Sequence, residues 1–254
     1  MTLNIFTIVL DGMPTIPSIF TSLNALNVDW KWTICEGVAA NVNDTSWCQK
    51  IEPRLSKDGT TEFLDSISNH PRITILKREL WEHGKTQQCN AALETFNSSG
   101  ILMQMDCDEI WRTDSLERVI ALFRDNPTAN IVQFYCRYFL GPNIISVKPN
   151  TYGNNSYEWF RAWRFEPGDR FISHEPPILQ MPGRQNICIS RDAHNITFDH
   201  YAYAYEKQLQ FKEEYYGYAN AVNEWKQLQQ QSSFPIKLKD HLKWIQDDAE
   251  ALRI

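Results

Sequence analysis

The chain has 254 residues, enough for one large α/β domain with a substantial core, and its 25 basic and 31 acidic residues leave a formal charge of −6. The charges are dispersed, which speaks against a nucleic-acid backbone as a partner. No apolar run approaches the roughly 18–20 residues needed to span a bilayer, so no transmembrane segment is expected. Six cysteines stand singly with no CxxC pair, a usage that predicts free thiols in a reducing, cytoplasmic compartment and not a disulfide framework.

Taken in order, Thr2–Leu10 is apolar but lacks the basic flank and small-residue cleavage site of a signal peptide, so Asn4–Leu10 reads as a first strand. Ile16, Ile19, Phe20, Leu23 and Leu26 then recur at helical spacing. Trp30–Glu36 is a second strand closed by Gly37. The polar stretch from Asn41 to Gly59 is long for a connection and therefore a candidate functional loop. Thr60 or Thr61 caps a helix to Ile67, Ile73–Leu76 is a third strand, Lys85–Phe96 a helix, and Ile101–Met105 a fourth strand. Asp114-Ser-Leu-Glu117 has the form of a capping box opening a helix to about Arg124, and Ala129–Tyr138 is a fifth strand. This βαβα alternation predicts a mostly parallel, Rossmann-like central sheet flanked by helices. The second half is richer in Pro, Gly, Asn and aromatics, with short strands at Trp159–Phe165, Ile187–Ile189 and Ile196–His200. A charged helical stretch runs from Tyr205 to about Gln230, and a last helix covers His241–Leu252. With no linker or repeat, one domain with an elaborated C-terminal half is the simplest account.

The chemistry centres on Ile101-Leu-Met-Gln-Met-Asp106-Cys-Asp108-Glu109, an apolar strand that ends in two carboxylates one residue apart. Residues i and i+2 of a strand point to one side, so Asp106 and Asp108 can converge on a divalent cation beyond the carboxyl edge of the sheet, where open α/β sheets bind ligands. The spacing alone is nonspecific, and a solvated strand-to-helix turn would look the same; its position after a buried strand is the informative part.

These residues are similar to glycosyltransferase family 2, of the GT-A fold in the nucleotide-diphospho-sugar transferase superfamily. The resemblance rests on Thr7-Ile-Val-Leu10, Trp32-Thr-Ile-Cys-Glu36-Gly37 and Met105-Asp-Cys-Asp-Glu109, in order, over about residues 4–140. It implies a nucleotide-sugar-binding half over residues 1–140 and an acceptor-binding half with C-terminal helices over 141–254. The implied activity is transfer of one sugar from a nucleotide-diphosphate donor to a glycan or other hydroxyl acceptor, with inversion. Glu36 is then the contact to uracil or ribose, and the Asp-x-Asp holds Mn²⁺ or Mg²⁺ and through it the diphosphate. Asp108 is the better metal ligand and Asp106 the better ribose or metal-water contact. The family also carries a basic residue and an Asn near the nucleotide on a comparable helix, here Lys85, which offers a point charge to the diphosphate at a helix N-terminus, and Asn90; Asp11 ends the first strand in position for nucleotide contact or for capping Gly12-Met13.

Inversion requires a base for the acceptor hydroxyl. Glu175, in His174-Glu175-Pro-Pro, is the candidate, with Asp169 and Asp192 as competitors; the family's usual Glu-Asp pair is absent. His200 is a candidate third metal ligand, as imidazole can be. The resemblance puts Tyr152, Tyr157, Trp159 and Trp163, with His174, where the fold builds its acceptor pocket; core aromatics of the elaborated half are an equal alternative for the four rings. Tyr205–Tyr218, including Lys212, reads as an ordinary solvated helix. Two other readings stand beside the transferase: a nucleotidyltransferase, against which Asp11-Gly12-Met13-Pro14 offers no Gly-rich basic loop, and a non-catalytic carbohydrate-binding or interaction module on the same fold.

Overall fold

The computed structural model describes residues 1–147 and 159–254. Its first half runs β1 (Thr2–Val9), α1 (Ile16–Asn24), β2 (Trp30–Ala39), α2 (Thr60–Ile67), β3 (Ile73–Trp81), α3 (Lys85–Leu93) and β4 (Gly100–Gln104). The four strands are parallel in the order β3-β2-β1-β4. A parallel sheet is covered on both faces, which is why β4 is buried along its whole length. Alternation divides it between two cores. Ile101 and Met103 join Leu3, Ile5 and the α1 face Ile16, Ile19 and Leu23, while Leu102 joins Phe6 and the α3 face Cys89, Ala92 and Leu93.

The chain continues through β5 (Glu109–Ile110), α4 (Thr113–Asp125), β6 (Ile131–Gly141), β7 (Ile144–Ser146), β8 (Trp159–Phe165), β9 (Arg170–His174), β10 (Pro177–Gln180), β11 (Cys188–Ile189) and β12 (Thr197–His200). It closes with α5 (Glu206–Tyr216), α6 (Ala221–Gln229), β13 (Ile236–Lys237) and β14 (Glu250–Arg253). β8 lies antiparallel between β4 and β6, so the expected fifth strand is one place removed from the fourth and the sheet is mixed beyond β4. The fold is α/β, a large central sheet flanked by helices, parallel where the candidate site lies.

Three boundaries differ from the sequence expectation. The helix α4 begins at Thr113 with no side-chain cap, because the Asp114 carboxylate accepts from Arg112 instead of a backbone N–H. The charged stretch after Tyr205 is two helices, broken where Gly217 and Asn220 both take left-handed backbone (φ 69° and 61°). The expected final helix over 241–252 is absent: Leu242, Ile245 and Ala249 bury in a loop, and β14 pairs antiparallel with β7 and β13. Strand pairing satisfies backbone groups at this sheet edge that an isolated helix would leave open. Among the described residues no helix is long and apolar enough to cross a membrane, and all six cysteines are free thiols.

Candidate active site

At the carboxyl ends of β1, β2 and β4 lies a cleft of about 470 Å³, walled on the far side by the β9–β10 turn and by α5. Six of the residues singled out in the sequence line it: Lys85, Asp106, Asp108, His174, Glu175 and His200. Gly37 forms part of its floor in left-handed backbone (φ 125°), where a Cβ would fall 1.7 Å from the Arg78 carbonyl oxygen, so no other residue fits.

Strand pairing brings the acidic segment and His200 together. β5 runs antiparallel to β12, setting His200 opposite Glu109, and the Tyr201 N–H donates to the Asp108 carbonyl at 2.8 Å. The His200 Nε2 and an Asp108 carboxylate oxygen then stand 3.5 Å apart. Burial opposes the charge on Asp108, but the facing His200 and Lys212 outweigh it and hold the carboxyl down to about 2. Burial likewise works against the His200 cation, and Asp108 reverses that, raising its pKa. An oxygen and a nitrogen 3.5 Å apart on the cleft wall are a donor set a hard divalent cation accepts, each bond being about 2.1 Å.

Asp106 does not join that pair. One carboxylate oxygen accepts from Gln104 Nε2 (2.9 Å) and the other from Arg161 (2.7 Å). Arg161 reaches this point because β8 pairs with β4, and it also grips the fully buried Glu109 at 2.7 Å. Asp106, expected as a metal or ribose contact, lines the cleft but has one hydrogen bond on each carboxylate oxygen, so Asp108 is the less engaged carboxylate of the two. Among the described residues no group of three or more His, Cys, Asp or Glu side chains is gathered for a metal.

Across the cleft, Asn90 clasps the backbone N–H and carbonyl of Phe171 (2.8 and 3.0 Å), docking β9 on α3. The Asp44 carboxylate accepts from the N–H groups of His174 (2.6 Å) and Glu175 (2.9 Å), which fixes the turn. Glu175 there meets Lys85 in an ion pair, and Lys85 also donates to the Tyr216 hydroxyl at 3.3 Å. Burial resists the charge on both partners. Lys85 nevertheless pulls Glu175 well below the usual carboxylate range, and Tyr216 and Glu175 raise Lys85.

Other expected site residues lie elsewhere. Asp11 accepts from Arg54 (2.6 Å) and from the Lys57 N–H (2.8 Å). Glu36, fully buried, accepts from the Ser56 N–H (3.2 Å) and the Thr61 hydroxyl. Both bind the 54–61 segment, and neither lines the cleft. Asn90 is a structural clasp. Trp163 is 1% exposed in the core against Phe171, not an acceptor face. Tyr152, Tyr157 and the Trp159 side chain lie outside the described residues.

The sequence reading missed α5. Instead of a solvated helix it is a cleft wall, presenting Phe211, Lys212, Tyr215 and Tyr216. The signal available was the density of tyrosines among its charges. Trp47 adds an indole, 55% exposed, stacked on Tyr216 with centroids 5.3 Å apart and held by its Nε1 donating to the Asp44 carbonyl.

A parallel β3-β2-β1-β4 sheet, with an acidic turn at the end of its last parallel strand and a cleft above it, is a GT-A-type fold. A mannosyltransferase from Pyrobaculum calidifontis, solved with GDP-Man and Mn²⁺, shares that fold with a TM-score of 0.51 and 14% identity over 95% of this chain and 68% of its own. Residues 55–179 match the profile of Glycosyl transferase family 2. Staphylococcus aureus TarS in complex with UDP-GlcNAc also aligns, at TM-score 0.45 and 13% identity over 65% of this chain and 45% of that one. So does glucosyl-3-phosphoglycerate synthase from Mycobacterium tuberculosis, solved with Mn²⁺, UDP-glucose and phosphoglyceric acid, at TM-score 0.39 and 16% identity over 54% of this chain and 44% of that one. The chain spans about half the length of these last two structures. No curated protein matches it significantly.

Proposed function

We propose that the protein is a metal-dependent glycosyltransferase that moves one sugar from a nucleotide-diphosphate donor to a hydroxyl acceptor with inversion, in the cytoplasm. The observation that carries this is the pairing of Asp108 with His200, 3.5 Å apart at the carboxyl edge of the parallel strands. These two side chains would hold Mn²⁺ or Mg²⁺. The cation would neutralise the charge that builds on the departing diphosphate, with substrate oxygens and water filling its remaining positions. Asp106, locked by Arg161, serves to hold the acidic turn in place. The exposed face of Trp47 and the neighbouring Tyr216 offer an aromatic platform at the cleft mouth for an acceptor sugar.

Glu175 is the base in this reading. It is ionised and lines the cleft with the Asp108 turn, while the Lys85 ion pair that lowers its pKa works against proton acceptance. The acceptor O–H proton passes to the carboxylate as the oxygen attacks the anomeric carbon and the bond to the diphosphate breaks. Glu175→Gln is expected to lower kcat by roughly 10²- to 10⁴-fold while nucleotide affinity is kept; an unchanged kcat assigns the base elsewhere. The same variant carries a pH signature. Because the folded pKa of Glu175 is depressed, its stabilising contribution is complete above its ordinary value of 4.5 and is lost as pH falls through the lower folded value. The melting-temperature gap between wild type and Glu175→Gln should be widest near neutrality and close on acidification.

The deciding experiment is thermal stability with Mn²⁺ and UDP, GDP or dTDP in turn. A ligand at 100 times its Kd stabilises by about 2.7 kcal/mol, and a melting temperature that none of the three moves overturns the reading.

A further inference from the structure

The cleft contains three basic side chains, and two are committed. Lys85 is neutralised by Glu175, and Arg161 is shared between Asp106 and Glu109. Lys212, on α5, has no carboxylate within ion-pairing distance among the described residues. Its Nζ is instead flanked by aromatic faces, 4.8 Å from the Tyr216 centroid and 5.4 Å from that of Tyr203. Burial pushes its pKa down, and Asp108 only partly counters this. Aromatic faces offset a fraction of the hydration a desolvated ammonium gives up, whereas an anion offsets most of it. The cleft thus holds one cation with no close ion pair among the described residues, facing the acidic turn that the transferase reading assigns to the metal.

We propose that Lys212 is the diphosphate-binding cation of the donor site, the role the sequence pattern offers to Lys85. This rests on the transferase reading and deepens it. The donor site is not confined to the first 140 residues; α5, from the C-terminal half, closes it by contributing a positive charge to the leaving group. As a compact point charge Lys212 tolerates either phosphate of a diphosphate without bidentate geometry, while Lys85 tunes and shields Glu175.

The test measures binding by calorimetry, with Mn²⁺ present, of inorganic pyrophosphate and of UDP, GDP and dTDP to wild type, Lys212→Met and Lys212→Arg. Losing one charge-assisted contact to phosphate should weaken pyrophosphate and the bound nucleotide by about 10- to 100-fold in Lys212→Met, with much of the affinity retained in Lys212→Arg. The parent nucleoside should bind both proteins equally. Without ligand, Lys212→Met should melt no lower than wild type, since it removes a buried cation that has no close ion pair, and that sign separates a ligand-binding lysine from a structural one. Equal pyrophosphate affinity in wild type and Lys212→Met, or no pyrophosphate binding by wild type, overturns the assignment. If pyrophosphate binds through Lys212 but no nucleotide does, the anion site stands and the nucleotide-sugar reading falls.

Discussion

Asp108→Ala is expected to lower Mn²⁺-dependent donor hydrolysis by roughly 10³-fold, because in the proposed site it removes one of the two described side chains that would hold the cation. Charge stabilisation by a bound metal is worth several kcal/mol in a transition state, and each 1.36 kcal/mol is a factor of ten. The fold should survive. The Asp108 side chain is 20% exposed, its backbone carbonyl keeps the bond to the Tyr201 N–H, and the partner it abandons, His200, can relax by losing its proton. Asp108→Asn, nearly the same shape with a neutral amide, separates charge from packing and should be as inactive. Metal-stimulated hydrolysis at the wild-type rate in both variants removes Asp108 from the site. The companion change, His200→Ala, should weaken Mn²⁺ binding less, since nitrogen is the softer and more replaceable donor for a hard ion.

The centre of this site was legible because its signals are local. A strand that ends in carboxylates shows itself by the period-two pattern and by the abrupt change from Ile101–Met105 to Asp106-Cys-Asp108. The βαβα half was equally readable, since α1 and α3 each turn one apolar face to a neighbouring strand. What sequence could not show is pairing over long separations. Arg161 meets Glu109 and Asp106 only because β8 inserts antiparallel beside β4, 52 and 55 residues further along the chain. Carboxylates at strand ends look alike in sequence whether or not a loop binds them, so the tether that Asp11 and Glu36 give residues 54–61 is invisible there. Lys212 failed for the opposite reason. A lysine on a polar helix is ordinarily solvated, and only the collapse of α5 over the sheet edge turns it inward. Trp163 illustrates the remaining ambiguity, because a tryptophan pattern does not distinguish a sugar platform from a core residue sitting against Phe171.

Arg161→Met should destabilise the protein by about 3–5 kcal/mol, the usual cost of removing one partner from a buried ionic cluster. Arg161 is 2% exposed and Glu109 not at all, and the guanidinium donates to Glu109 and to Asp106 at 2.7 Å each. Methionine nearly matches the aliphatic stem in volume, so the loss is one of charge, not of packing. For a chain of this size the melting temperature should fall by about 6–20 °C. The effect has a pH sign of its own. Burial already raises the pKa of Glu109 against the pull of Arg161; without that pull it rises further, and the folded state pays nothing once the carboxyl is protonated. The deficit should therefore shrink as pH falls from 7 toward 5, and Glu109→Gln placed in the Arg161→Met background should recover part of it at pH 7. Asp106 loses its anchor in the same stroke, freeing the turn that carries Asp108, so Mn²⁺ affinity should fall in whatever fraction remains folded. A melting temperature within about 2 °C of wild type at pH 7 would mean that the buried cluster does not hold the acidic turn, and the positioning role given to Asp106 would go with it.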